Sequence, residues 1–67
     1  MFNKKLRSYR MLLGMTQREM AEHLGIQIRS YQNYEQGIRE PNFDTLIKIA
    51  DLFSLSLDEL FDRTPPK

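Results

Sequence analysis

The chain has no cysteine, no tryptophan, one histidine, three glycines and three prolines in 67 residues. Without cysteine there is neither a disulfide nor a thiolate metal ligand, and the single histidine, His23, cannot complete a zinc shell. No window approaches the roughly 18 apolar residues that a membrane span needs. The basic start, Met1-Phe2-Asn3-Lys4-Lys5, is not followed by the apolar run of a secretory leader. A reducing, cytoplasmic setting is therefore expected, with no membrane partner. Also missing are a nucleophile–base set, a cofactor loop and a carboxylate pair on a cleft-forming element. An enzyme is the least expected class, and no cofactor, metal or small-molecule ligand is expected. At this length one small domain is expected, with a thin core that buries roughly 60% of the surface of the unfolded chain.

What is present is helix punctuation. Thr16 and Glu19 have the spacing of a capping box, in which each side chain satisfies a free backbone N–H of the other. Met20, Ala21 and Leu24 then form the apolar side of a short helix that stops at Gly25. A second short helix, expected over about 28–36, shows Tyr31 and Tyr34 on its inner side and stops at Gly37. Two short helices joined by a tight glycine-containing turn make a helix-turn-helix, here over about 16–37.

The flanks read in the same way. A first helix is expected over about 3–13, with Asn3 as its cap, Gly14 as its stop, and Leu6, Tyr9, Arg10 and Leu13 on one stripe. Pro41 blocks helix continuation. Asn42 caps a fourth helix whose inner stripe is Leu46, Ile49, Ala50 and Phe53. Ser56 and Glu59 repeat the capping-box spacing ahead of a fifth helix over about 57–62. Asp58, Glu59 and Asp62 suit the positive end of its dipole. The expected fold is all-α, a five-helix domain over 1–63, with 64–67 as a tail or linker stub.

Charge is polarised along the chain. Residues 1–30 carry six basic and two acidic side chains, a net of +4, whereas residues 31–67 carry four basic and seven acidic, a net of −3. Such a pattern allows one face to dock on phosphates while another stays in water.

Four pieces of the chain carry a family resemblance. They are Leu6-Arg7 with Arg10; Gly14-Met15-Thr16-Gln17 with Glu19, Ala21 and Leu24-Gly25; Tyr34-Glu35-Gln36-Gly37 with Glu40-Pro41-Asn42; and Thr45 to Ala50 leading to Ser56 to Phe61. In this order and spacing the chain resembles the Cro/repressor-type helix-turn-helix domains of the XRE family, over roughly residues 5–61. The resemblance implies a compact five-helix fold of the lambda-repressor type. It also implies sequence-specific binding of double-stranded DNA by a transcriptional regulator, most often a repressor, of bacterial or phage type. The chain departs from the family pattern at Gln27, a poor cap where Ser or Thr is frequent, and at Ile28, where a polar residue is common. Tyr31 and Tyr34 stand where smaller aliphatics are frequent, and Ser54 where Gly or Asn is.

In a helix-turn-helix the first turn of the second helix meets base edges. Arg29 there can donate twice to guanine, or hold a phosphate. Asn33, one turn on, can pair with adenine or bond a phosphate. Ile28 fits either a thymine methyl or the flank of the preceding helix. Gln32 and Ser30 are further candidates for base contact. Gln17, at a helix N-terminus with free N–H groups, is a phosphate clamp by the resemblance. Arg18, Gln27, Gln36, Arg39 and Asn42 are further phosphate candidates, with Lys4 and Lys5 less specific ones.

Arg10 and Glu35 both point to the edge of the core, where an unpaired charge costs several kcal/mol. They are therefore expected to pair, as the resemblance also implies. A homodimer on a two-fold operator is expected, with Leu55, Leu57 and Phe61 as interface candidates; a monomeric fragment of a longer repressor is the equal alternative, since Pro65-Pro66 resembles the beginning of a linker. The rival reading is a helix-turn-helix interaction module, such as an antitoxin or partner-regulated adaptor, that uses DNA secondarily.

Overall fold

The computed structural model describes residues 2–60. Over that range the chain forms five helices: α1 Phe2–Leu12, α2 Gln17–Leu24, α3 Ile28–Gln36, α4 Phe43–Phe53 and α5 Leu57–Leu60. The expected end of the fifth helix, Phe61, Asp62 and the tail lie outside the described residues.

The starts are made by the side chains the spacing singled out. Thr16 Oγ1 accepts from the Glu19 N–H at 3.1 Å, and Glu19 Oε1 accepts from the Thr16 N–H at 2.9 Å. Ser56 and Glu59 repeat this at 3.1 and 3.0 Å. Asn42 Oδ1 accepts from the Thr45 N–H at 2.9 Å. Gln27 makes no side-chain cap bond. Each capping carboxylate is held below its ordinary pKa, chiefly by the backbone N–H it accepts from, Thr16 for Glu19 and Ser56 for Glu59.

The ends of α1 to α4 close alike. The N–H groups of Met15, Ile26, Ile38 and Leu55 each reach back five residues, to the carbonyls of Arg10, Ala21, Asn33 and Ala50. This is the Schellman closure, and it needs a left-handed residue just before the reaching N–H. Glycine fills that place after α1, α2 and α3. After α4 it is Ser54, at φ 56°.

The core joins all five helices through Leu6, Met20, Ala21, Leu24, Tyr31, Ile49, Ala50, Phe53 and Leu60. Tyr9 stacks on Phe53 with ring centroids 5.3 Å apart. Two expectations for α1 fail by one residue of register. The helix starts at Phe2, so Asn3 is not its cap: it lies inside the first turn, and its amide donates to the Glu35 carbonyl at 3.5 Å. The helix also ends at Leu12, so Leu13 leaves the inner stripe and is 48% exposed. The closing turn to Gly14 carries it outward.

Candidate nucleic-acid interface

The turn between α2 and α3 is short because Gly25 adopts φ 68°, which costs an L-residue with a Cβ about 1 kcal/mol or more. The turn sets α3 against α2 and α1. Tyr31, with no exposed surface, is the inner anchor of α3, and half-buried Ile28 and Tyr34 pack beside it. Ile28 is thus a packing residue, whatever else it touches. On the opposite side Arg29, Asn33 and Gln36 follow one another at i, i+4 and i+7, a single stripe turned away from Tyr31. Arg29 and Gln36 are exposed, and Asn33 and Ser30 are half-buried.

The phosphate candidates sit at the ends of this platform. Arg18 and Gln17 form the first turn of α2, whose leading N–H groups have no intrahelical partner. Gln27 precedes α3, and Arg39 and Asn42 lie in the connection to α4; all three are exposed. Lys5 is otherwise engaged: its ammonium donates to the Glu59 carbonyl at 2.6 Å, tying α1 to α5. His23 is exposed on α2, and no group of three or more metal-ligating side chains occurs among the described residues.

Glu35 is the hub behind the platform. Arg10 Nε lies 2.6 Å from its Oε2, and Arg10 Nη2 donates to Oε1 at 3.3 Å. The Tyr31 hydroxyl donates to Oε2, and Gln17 Nε2 donates to Oε1 at 3.2 Å. Arg10 Nη1 also donates to the Met15 carbonyl at 2.9 Å, so one guanidinium joins α1, the α1–α2 turn and α3. The side chains of Arg10 and Glu35 are 14% and 5% exposed. Burial pushes the Glu35 carboxyl up, but the donors Arg10, Tyr31 and Gln17 outweigh it, and its pKa lies below the ordinary carboxylate value. The Tyr31 hydroxyl is pushed up by burial and by its bond to Glu35, and the Arg10 guanidinium is raised chiefly by its bond to Glu35.

The expected Arg10–Glu35 pair is present. The side chains that join it were not anticipated. Tyr31, four residues before Glu35 on the same helix, is at contact spacing and was findable. Gln17, the expected phosphate clamp, donates to Glu35 and accepts from Gln32 Nε2 at 3.2 Å. One N–H of Gln17 remains for a phosphate. The dimer candidates Leu55 and Leu57 are half-buried against the core, and Phe61 lies outside the described residues.

A capped α2, a glycine turn and an α3 with one buried and one polar face define a helix-turn-helix domain. A family model described as helix-turn-helix matches residues 6–60, and the chain belongs to that family, of the XRE type. It is 40% identical over 60 residues to the cryptic phage CTXphi transcriptional repressor RstR of Vibrio cholerae, covering 90% of this chain and 54% of the relative. It is also 40% identical over 60 residues to the HTH-type transcriptional regulator ImmR of Bacillus subtilis, covering 90% and 47%. A crystal structure of a transcriptional regulator from Listeria innocua superposes with a TM-score of 0.91 at 30% identity, covering 100% of this chain and 63% of that one. The chain thus spans about half the length of the curated relatives it matches.

Proposed function

We propose that the chain is a sequence-specific double-stranded DNA-binding domain of a transcriptional regulator, with repression as its leading mode. The observation that carries this reading is the polar outer stripe Arg29, Asn33, Gln36 on a helix whose other side is buried. An α-helix fits the major groove, and an arginine in its first turn reaches guanine O6 and N7. Arg29, Asn33, Ser30, Gln32 and the exposed edge of Ile28 form the base-reading set. Gln17, Arg18, Gln27, Gln36, Arg39 and Asn42 hold phosphates on either side. Family membership supports the reading, as do the names of RstR and ImmR. The setting that goes with it is the cytoplasm.

One copy offers few phosphate contacts. Two copies on a two-fold operator, with half-sites about one helical turn (~34 Å) apart, double them. Leu55, Leu57 and Phe61 are the proposed seam. Occupancy of a promoter then represses by excluding other proteins.

The test is selection from a random duplex pool, followed by binding curves on the selected and a scrambled duplex at two salt concentrations. Preferential binding with a steep salt dependence is the expected result. Absence of binding to any duplex at low salt would leave the interaction-module reading in its place. That reading has exposed Ile38 and Phe43, at 65% and 63%, in its favour.

A further inference from the structure

α1 ends in three apolar residues in a row. Met11 and Leu12 finish the helix and Leu13 begins the turn, and all three are exposed, Leu12 to 80%. The flank of this tip is basic. α1 holds no acidic residue. Arg7, one turn before Met11, and Lys4, a turn further back, are exposed and have no ion-pair partner among the described residues. A second surface has the opposite character. Between α2 and α4 runs a shallow groove lined by His23, Leu24, Lys48, Asp51 and Leu52. Its floor is apolar, with Leu24 buried and Leu52 half-buried. Past His23 it continues into a hollow beside Glu19 and Glu22. Three exposed carboxylates, Glu19, Glu22 and Asp51, border it with one ammonium, Lys48.

We propose that the Met11–Leu13 tip of one copy docks in the α2–α4 groove of a second copy, a self-contact separate from the seam at Leu55, Leu57 and Phe61. Charge selects this pairing. Tip against tip would bring Arg7 of one copy beside Arg7 of the other, and like charges at a contact are costly. Tip in groove brings Arg7 and Lys4 toward Glu22 and Asp51 and lays the apolar residues against the Leu52 floor. Size sets its strength. Three exposed apolar residues make a patch of roughly 300 Å². One such contact buries under about 800 Å² in total, short of the roughly 1,200 Å² of a stable interface. Its dissociation constant is then on the order of 0.1–1 mM. Copies held side by side on one duplex reach an effective concentration in the millimolar range, where a contact this weak is occupied.

The test is a dilution series of the nitrogen-labelled chain, from about 1 mM to about 0.02 mM, read by amide NMR shifts. It involves no DNA and is independent of the DNA-binding reading. The amides of Met11–Leu13 and those of His23 and Lys48–Leu52 move together along one isotherm, which added salt weakens by about threefold or more. Two double variants at exposed positions, Met11→Gln with Leu12→Gln and Glu22→Lys with Asp51→Lys, are each first shown to be folded by thermal melting. Each alone loses both sets of shifts. When the labelled tip variant is mixed with the unlabelled groove variant, the shifts return at His23 and Lys48–Leu52 only, because one intact groove and one intact tip remain. Shifts confined to Met11–Leu13, shifts confined to Leu55 and Leu57, no shift up to about 1 mM, or a mixture that stays silent each overturn the proposal.

Discussion

The two halves of this domain are held by different physics. Around α1, α2 and α3 the central contact is a directional charge network: Arg10, Gln17 and Tyr31 donate to one carboxylate, and Gln32 follows in line. Around α4 and α5 it is apolar packing by Ile49, Ala50, Phe53 and Leu60, with capping bonds at the ends and one Lys5 bond to the Glu59 carbonyl. Apolar packing constrains volume and tolerates exchange among shapes of similar size. A buried charge network also constrains orientation and tolerates little. The half that carries the polar outer stripe of α3 is the half in which side-chain direction is specified. If stability were all that mattered, a well-packed apolar cluster would serve as well or better.

The largest expected effect breaks the charged half. Glu35→Ala strips Arg10, Tyr31 and Gln17 of a shared acceptor and should cost about 3 kcal/mol or more, the range for one partner removed from a buried pair. Against a total stability of about 5 kcal/mol, about 2 kcal/mol or less would remain, and the unfolded fraction would rise by about a hundredfold or more. Size-conserving changes sharpen the contrast. Glu35→Gln should cost about 2 kcal/mol or more, because a neutral amide faces donors it cannot match. Ile49→Leu, in the other half, should cost under about 1.5 kcal/mol. Urea midpoints for the three variants decide it, and equal losses for Glu35→Gln and Ile49→Leu would erase the distinction between the halves.

Acid provides a milder probe of the same network. The Glu35 carboxyl has a folded pKa below its unfolded value. Its contribution is therefore fully present above the unfolded pKa, about 4.3, and is lost as pH falls through the folded value. Wild type should lose stability steadily below about pH 5, and Glu35→Gln should lose less over the same range. Some slope must remain in that variant, since Glu19 and Glu59 are also held below their ordinary values. Parallel curves for the two proteins would show that Glu35 is not a source of the acid sensitivity.

For function the expected losses fall between these extremes. Arg29→Ala should cost on the order of 1–3 kcal/mol on the best duplex and relax preference at one base position. Equal loss on matched and scrambled duplexes would make Arg29 a phosphate contact instead. Its exposed side chain takes no part in the Glu35 network, so the melting temperature should stay within about 2 °C of wild type.

How far the sequence could be read differs between the halves for the same reason. Caps, stops and inner stripes are local: Thr16 with Glu19, Asn42, Ser56 with Glu59 and Gly37 declare themselves within four residues. Helix ends are less sharply marked, which is why Asn3 and Leu13 were displaced by a single residue. The Arg10–Glu35 pair, 25 residues apart, was accessible because an unpaired charge at a core edge is too costly to leave alone. Gln17 and Gln32 were not, because a neutral amide satisfied by water creates no such demand. Only the angle of the Gly25 turn brings them to 3.2 Å. Local rules thus recovered the fold and the outward stripe, and the internal wiring of the interface came from tertiary geometry.

The smallest expected effect concerns the joints, where both halves use one device. α1, α2 and α3 close through glycine, and α4 closes through Ser54 at φ 56°. A left-handed L-residue with a Cβ costs about 1–2 kcal/mol, while glycine adds entropy to the unfolded chain worth roughly 0.5–1 kcal/mol. Ser54→Gly should therefore stabilise the domain by under ~1 kcal/mol, a rise in melting temperature of a few degrees. Ser54 is exposed, so no buried contact is lost. Gly37→Ala is the counterpart at the end of α3. Its φ is 77°, and an added Cβ would meet Asn3 Nδ2 at 3.3 Å, so strain and crowding act together there. It should destabilise by more than Ser54→Gly stabilises and should weaken DNA binding, because the end of α3 and the approach to Arg39 move with it. Ser54→Gly should leave the selected duplex unchanged, since α4 closes away from the stripe. A fall in melting temperature for Ser54→Gly would mean that the serine hydroxyl holds the α4–α5 joint by more than backbone closure, and the joints of the two halves would then differ in kind.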